Sequence, residues 1–355
     1  MTSVPAPGSD AHPEVAPPAP GHVPVLLREV VALLSPQPGE TVVDCTAGLG
    51  GHAAALAPCV GPTGRIVLND LDPTNLARAG AVVRSAPDAP SVTTVRGNFA
   101  ELPRRLVELG LAADAVLLDL GFASSQMDDA SRGFSFMRDG PLDMRLDPDA
   151  PVTAARLVNT LPEGELAEIL RDFGEERQAR RIASKLVAER ALAPIETTGR
   201  LAKVVSDALG GSGRAHSRPS GPSPGGPPGG PPGGPPGRPS GRIHPATRTF
   251  QALRIAVNDE LGALRSLLES VTRVASGPGI APGGSWLARS GRGVRIVVIS
   301  FHSLEDRLVK HAFAELVHRG LGEHLAKHPV APSPDEQRLN PRSRSAKLRA
   351  VRLTS

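Results

Sequence analysis

Four short apolar runs rich in β-branched residues, Thr41-Val42-Val43, Ile66-Val67-Leu68, Ala115 to Leu118 and Val294 to Ile299, alternate along this chain with stretches of helical pattern. Runs without polar alternation suit strands buried on both faces, and parallel strands joined by covering helices are buried in that way. The expected fold class is therefore α/β, a doubly wound Rossmann-like sheet. The interval between the Leu118 run and the Ile299 run is far longer than one crossover helix requires. It holds helix-like stretches at Glu163 to Phe173, Glu175 to Ala191 and Thr247 to Val271, separated by glycine, proline or polar breaks. This predicts a mainly helical insertion over residues 128–245, with the sheet domain built from residues 21–127 and 246–355.

Two tracts are expected to stay out of the core. Residues 1–20 are rich in Pro and Ala and read as a disordered tail, because such a stretch buries too little apolar surface to offset its ordering entropy. Residues 210–241 repeat Gly-Gly-Pro-Pro without the every-third-glycine period of collagen, and read as a floppy loop inside the insertion; a partner-docking polyproline segment is the other reading. A formal net charge of +4 permits a polyanionic partner without demanding one. The only cysteines, Cys45 and Cys59, are too few for a disulfide framework or a cysteine-rich zinc site. No run approaches the roughly 18 apolar residues needed to cross a bilayer, and the opening residues lack the pattern of a secretory signal. A soluble, cytoplasmic protein with no membrane partner is expected, its oligomeric state open between monomer and dimer.

The first run leads straight into Asp44-Cys45-Thr46-Ala47-Gly48-Leu49-Gly50-Gly51-His52. Glycines there let the backbone turn sharply and approach a ligand, while the start of the following helix offers free N–H groups. Asp70 ends the second run, where a carboxylate can accept hydrogen bonds from both hydroxyls of a ribose. An adenosine-bearing cofactor is expected, although the turn alone does not separate a dinucleotide from S-adenosylmethionine. Phe99 follows the short Val92 to Val95 run and can pack on a flat base. Asp119 ends the third run beside Gly121, at the sheet edge where doubly wound folds bind their ligands.

From that point the residues carry a more specific signal. Leu117-Leu118-Asp119-Leu120-Gly121, Ser124, Gln126, Arg132-Gly133-Phe134-Ser135-Phe136 and Asp139-Gly140-Pro141-Leu142-Asp143-Met144-Arg145 form one block. His244-Pro245-Ala246-Thr247-Arg248-Thr249-Phe250-Gln251-Ala252-Leu253-Arg254-Ile255 with Asn258-Asp259-Glu260-Leu261 form a second. Ser300-Phe301-His302-Ser303-Leu304-Glu305-Asp306-Arg307 and Asn340-Pro341-Arg342-Ser343-Arg344-Ser345-Ala346-Lys347-Leu348-Arg349 complete the set. Together they resemble the bacterial ribosomal RNA small-subunit methyltransferase H family, also called MraW.

The resemblance implies a class I methyltransferase sheet with an inserted helical domain, and transfer of a methyl group from S-adenosylmethionine to the N4 amine of a cytidine in the decoding region of small-subunit ribosomal RNA. It implies a substrate within an assembled or nearly assembled small subunit. Carried over by position, the cofactor residues are Gly50, Gly51, His52, Asp70, Phe99, Asp119 and Gln126. The chain departs from the family's usual residues at Cys45, Ala47 and Leu49 in the glycine loop and at Phe122, Ala123 and Ser125 beyond the third run.

Cytosine N4 is a poor nucleophile until an acceptor polarises its N–H bonds, so positioning and a proton acceptor should carry catalysis. Asp119 is the first candidate acceptor, with Ser124 and backbone carbonyls near Gly121 as alternatives. His302 can contact the RNA or the base. Arg132, Arg138, Arg145, Arg248, Arg254, Arg307 and the basic tail Arg342, Arg344, Lys347 and Arg349 are candidates for phosphate contact. Attack through a cysteine, as in ring-carbon methylation, is disfavoured because neither cysteine lies at a later strand end. An oxidoreductase with a Tyr-Lys hydride site is disfavoured because the chain has no tyrosine. A non-catalytic ribosome-assembly factor that keeps the cofactor fold is the remaining rival.

Overall fold

The computed structural model describes residues 24–210, 244–277, 284–288 and 291–354. The expected tail 1–20 and, apart from Gly210, the expected loop 210–241 lie outside the described residues. The chain divides into two compact units, one made of residues up to Ser124 and from Glu260 onward, the other of Ser125–Asp259.

The first unit begins with α1 (Leu27–Leu34), β1 (Thr41–Asp44), α2 (Gly51–Val60), β2 (Arg65–Asp70), α3 (Pro73–Arg84), β3 (Ser91–Arg96), α4 (Leu102–Glu108) and β4 (Ala115–Asp119). At the junction comes α5 (Ser124–Asp128), and the second unit continues with α6 (Ala154–Thr160), α7 (Glu163–Asp172), α8 (Ala179–Leu192), α9 (Thr198–Ala208) and α10 (Thr247–Asn258). The first unit then resumes with α11 (Glu260–Ser276), β5 (Arg295–Ser300), α12 (Ser303–His318), β6 (Gly322–His324), α13 (Pro334–Leu339) and β7 (Lys347–Leu353).

Its strands form one sheet in the order β3-β2-β1-β4-β5-β7-β6, parallel from β3 through β5, with β7 antiparallel to both of its neighbours. Side-chain alternation sends Val42, Ile66, Leu68, Leu117, Val297 and Ile299 into one apolar layer under α1, α2 and α3. Val43, Val67, Val116, Leu118, Ile296 and Val298 enter the opposite layer under α4, α11 and α12. Both faces are covered, which is why these runs are uniformly apolar. The doubly wound α/β sheet is the one expected from them.

Three elements differ from the expectation. The single helical stretch expected over Thr247 to Val271 is two helices, because Asp259 adopts a left-handed conformation with φ of 47° and ends α10. The helix over Thr247–Asn258, expected in the sheet domain with residues 246–355, falls in the second unit instead. There α10 packs on α7 and α6, Gln251 donates to the Phe173 carbonyl at 3.1 Å, and Asn258 donates to the Met144 carbonyl and accepts from the Leu146 amide. Finally, part of the expected basic tail is β7, whose Leu348, Ala350, Val351 and Leu353 are buried.

Candidate functional site

The glycine loop leaves β1 at Asp44 and is pinned to its neighbours by backbone bonds. The Cys45 amide donates to the Leu117 carbonyl at 2.9 Å and the Ala47 amide to the Asn69 carbonyl at 2.8 Å. The three glycines of this loop have different work. A Cβ at Gly50 would lie 2.8 Å from Ala79 Cα, and one at Gly51 2.5 Å from Pro24 Cγ, so both glycines admit close packing by other parts of the protein. A Cβ at Gly48 would meet only the Thr46 carbonyl oxygen, at 3.8 Å. Gly48 is thus the glycine beside open space, with φ of 52°.

Asp70, at the end of β2, faces this loop. Its Oδ2 accepts from the Gly48 amide and its Oδ1 from the Asp72 amide, each at 2.8 Å. Burial raises its pKa above the ordinary value, and those two amides oppose the rise. The Asn75 side chain also hydrogen-bonds this carboxylate, and the lone pair that remains can accept from a ligand hydroxyl. Beside it Asn69 is buried, donating to the Val95 and Gly97 carbonyls at 2.8 and 2.9 Å while its Oδ1 has no partner. Phe99 is half-buried and packs against the layer under α4. Open space at Gly48, a fixed carboxylate at 70 and an unanswered Asn69 acceptor fit a cofactor carrying a ribose and an adenine amino group.

His52, the second residue of α2, is buried with Nε2 2.9 Å from the Val25 carbonyl oxygen. A carbonyl can only accept, so Nε2 carries the hydrogen. Burial lowers the ring's pKa, against the pull of Asp44, and the neutral ring turns the bare Nδ1 toward Asp119 Oδ2 at 3.6 Å. That contact is too long for a hydrogen bond and, with the ring neutral, is not an ion pair. Asp44 itself is buried, and burial lifts its carboxyl to a pKa of about 7.

Asp119 closes β4. Its amide donates to Thr46 Oγ1 at 2.7 Å, which ties the end of β4 to the glycine loop. Its Oδ1 is sealed from solvent and has no hydrogen-bond partner, although the side chain as a whole is 26% exposed. Burial, reinforced by the negative charge of Glu305, raises its pKa to about 7. A carboxylate so placed exchanges protons near neutral pH, which suits an acid–base role.

The next strand end brings a second group to this edge. β5 pairs with β4 so that Asp119 lies opposite Ile299, and a Cβ at Gly121 would stand 3.7 Å from the Phe301 ring. His302 caps α12. Its Nδ1 accepts from the Glu305 amide at 3.4 Å, while Glu305 Oε2 accepts from the amides of Phe301 and His302 at 2.8 and 3.3 Å. His302 Nε2 lies 3.1 Å from Glu305 Oε1 but outside hydrogen-bond geometry, and is buried without a partner.

Among the other expected site residues, Gln126 is buried in the second unit, and the side chain of Ser124 lies outside the described residues. The expected phosphate contacts separate. In the second unit, Arg145 is held by Asp143 Oδ1 and Oδ2 at 2.8 and 2.7 Å and by the Ala150 carbonyl, and Arg132 by the carbonyls of Arg145 and Leu146. Arg138 donates to the Asp128 carbonyl, exposed Arg248 reaches the Glu175 carbonyl at 3.4 Å, and Arg254 is half-buried on α10. In the first unit, Arg307, Arg342 and Arg344 are exposed, whereas Lys347 and Arg349 of β7 bond Asp306. Sequence reasoning did not single out Asp44, Thr46, Asn69 or Glu305. Glu305 was readable as the partner of a cap three residues earlier; nothing in the pattern marked Asn69.

The model of the MraW methylase family matches residues 19–354. A protein of Heliobacterium modesticaldum named ribosomal RNA small subunit methyltransferase H is 42% identical, over 93% of this chain and 97% of that protein. Proteins of the same name from Symbiobacterium thermophilum and Pelobacter propionicus are each 43% identical over 93% of this chain, covering 96% and 97% of their own lengths.

Proposed function

This chain belongs to the MraW methylase family, and from that premise we propose that it methylates the N4 amine of a cytidine in the decoding region of small-subunit ribosomal RNA, with an assembled or nearly assembled small subunit as substrate. Its methyl donor is S-adenosylmethionine, which supplies an electrophilic carbon on a sulfonium. Gly48, Asp70 and Asn69 hold the donor's nucleoside portion, and Phe99 flanks the adenine. Asp119 is the observation that carries the reading: a half-buried carboxylate at the ligand edge, its residue bonded through the backbone amide to the glycine loop, with one oxygen sealed from solvent and lacking any partner.

Methyl transfer from the bound donor to N4 would leave that nitrogen positively charged, and it must then lose a proton. Ionised Asp119 accepts that proton through Oδ1. His52, neutral and facing Oδ2, adds no positive charge that would pull the carboxyl below neutrality. The exposed arginines Arg307, Arg342 and Arg344 contribute to holding the phosphate backbone. Among the described residues no helix is long and apolar enough to cross a membrane.

Mass spectrometry of small-subunit RNA nucleosides from cells lacking this protein tests the proposal. N4-methylated cytidine should fall and should return when purified protein and S-adenosylmethionine are added to the isolated subunits. An undiminished level of that nucleoside would refute the substrate assignment.

A further inference from the structure

Among the described residues, four buried side-chain atoms have no hydrogen-bond partner: Asn69 Oδ1, Asp119 Oδ1, Thr249 Oγ1 and His302 Nε2. Two of them, on Asp119 and His302, belong to the ends of neighbouring strands. The loops that follow those strands touch at Gly121 and Phe301. A buried polar atom left without a partner costs about 1–3 kcal/mol, so two at one edge call for a ligand that answers both.

The hydrogen-bonding sense of each is settled by its surroundings. His302 Nδ1 accepts the Glu305 amide in the α12 cap, so the neutral ring carries its hydrogen on Nε2, and Nε2–H is a donor. Asp119 Oδ1, once ionised, is an acceptor. The donor atoms of Glu260, His302 and Glu305 lie within 4.8 Å of one another, a spacing that a cation could use. Nε2, however, keeps its hydrogen while Nδ1 accepts from the cap, and a nitrogen bearing hydrogen has no lone pair for a metal. Glu305 instead steadies the ring, its own Oε2 fixed by two backbone amides.

We propose that His302 and Asp119 together read the amidine edge of the target base: Asp119 Oδ1 accepts from N4–H and His302 Nε2–H donates to the adjacent ring nitrogen N3. This rests on cytosine being the substrate. It makes His302 the residue that sets base specificity, because uracil presents the reverse pair, an acceptor at O4 and a donor at N3, and mismatches both. It also holds N4 against the group that takes its proton.

The experiment uses the full-length protein and small subunits reconstituted from RNA carrying either cytidine or 3-deazacytidine at the methylated position. In 3-deazacytidine a C–H replaces N3, which removes the acceptor yet makes the amine a better nucleophile. Chemistry alone would favour the analogue; a lost contact disfavours it. Wild-type protein is expected to show kcat/KM at least about tenfold higher for cytidine, the scale of one specific base-edge contact. His302→Ser keeps a capping oxygen for α12 and removes the ring N–H, and should bring that ratio to one or below while S-adenosylmethionine affinity is retained. A wild-type ratio near or below one overturns the inference whether or not the variant folds, as does a folded His302→Ser protein that keeps the wild-type preference. In either case cytidine is still methylated and the functional reading stands. Failure of the wild-type protein to methylate the cytidine subunits at all would instead bring down the functional reading.

Discussion

Asp70 and Asp119 occupy equivalent places, each closing a parallel strand at the sheet's carboxyl edge, and their surroundings treat them oppositely. Both oxygens of Asp70 accept backbone amides, from Gly48 and Asp72, so its carboxylate is fixed before any ligand arrives. One oxygen of Asp119 has no hydrogen-bond partner, and neither has Nε2 of His302 just past the end of the neighbouring strand, although Glu305 Oε1 lies 3.1 Å from it outside hydrogen-bond geometry. The Asp70 carboxylate is answered by the protein's own backbone, whereas that of Asp119 leaves an oxygen open to what binds there. On the proposed reading, preorganisation of the first would hold the cofactor in place, and incompleteness of the second would couple binding energy to the correct base.

Exchanging the two carboxylates for amides is the strongest way to break this contrast. Asp119→Asn removes the proton acceptor and should lower turnover by at least about a hundredfold, the lower range for a positioned general base. Asp70→Asn should weaken S-adenosylmethionine binding about tenfold, as expected for the loss of charge from hydrogen bonds to a carboxylate, with a smaller effect on turnover at saturation. Equal effects of the two variants on turnover would erase the distinction. In the glycine loop that Asp70 faces, Gly50→Ala should cost about 1–3 kcal/mol of stability, because its Cβ would meet the backbone of Ala79 at 2.8 Å from a residue with φ of 85°. Gly48→Ala, beside open space, should cost only the strain of its left-handed φ of 52°, about 1–2 kcal/mol of stability, and act mainly on cofactor affinity. Thermal unfolding with and without S-adenosylmethionine separates the two.

The rate should also carry the signature of the open carboxylate. With Asp119 of the free protein titrating at a pKa of about 7, the ionised acceptor is lost as pH falls, and kcat/KM should drop about tenfold per pH unit well below that value. The residual rate of Asp119→Asn should not follow this profile. A wild-type kcat/KM that stays flat between pH 5 and 8, when measured against a step shown to be chemical, would remove Asp119 as acceptor.

The two sides were not equally legible in the sequence. Strands covered on both faces announce themselves as unbroken apolar runs, and Asp70 and Asp119 stand at their ends, so the sheet and its acidic edge could be placed from the pattern alone. β7 could not: Lys347, Arg349 and Arg352 interrupt its apolar residues, because an antiparallel strand beside short β6 keeps charged side chains half in solvent. The break at Asp259 was hidden because helical periodicity runs through it, although Asn and Asp are the residues that tolerate a left-handed conformation best. The unanswered atoms were hidden for a more general reason. Whether a buried oxygen or nitrogen finds a partner depends on which strand lies beside which, and Asn69 and His302 acquire meaning only after β3, β4 and β5 have been arranged.

The smallest of the expected effects concerns how α12, which carries His302 and Glu305, is held to the sheet. Asp306, in the first turn of α12, receives Arg349 Nε on Oδ1 at 2.7 Å and Arg349 Nη2 and Lys347 Nζ on Oδ2 at 3.3 Å. Burial opposes its ionisation, but the two cations of β7 outweigh that and hold the carboxyl below its ordinary range. A depressed carboxylate stabilises the fold above its unfolded pKa, and the contribution is lost as pH falls through the folded value. Asp119 and Asp44, both raised to about 7, act with the opposite sign: their contribution is full in acid and is lost as pH rises through neutrality. Arg349→Gln should therefore lower stability by about 1 kcal/mol at neutral pH, where Asp306 is ionised, and by progressively less as pH falls through the folded pKa of Asp306 and the carboxyl loses the charge that Arg349 pairs. Urea unfolding of the wild-type and variant proteins over a pH series descending from 7 measures this difference. A deficit that is the same across the series would mean that Arg349 supports α12 by packing of its aliphatic stem and not through Asp306.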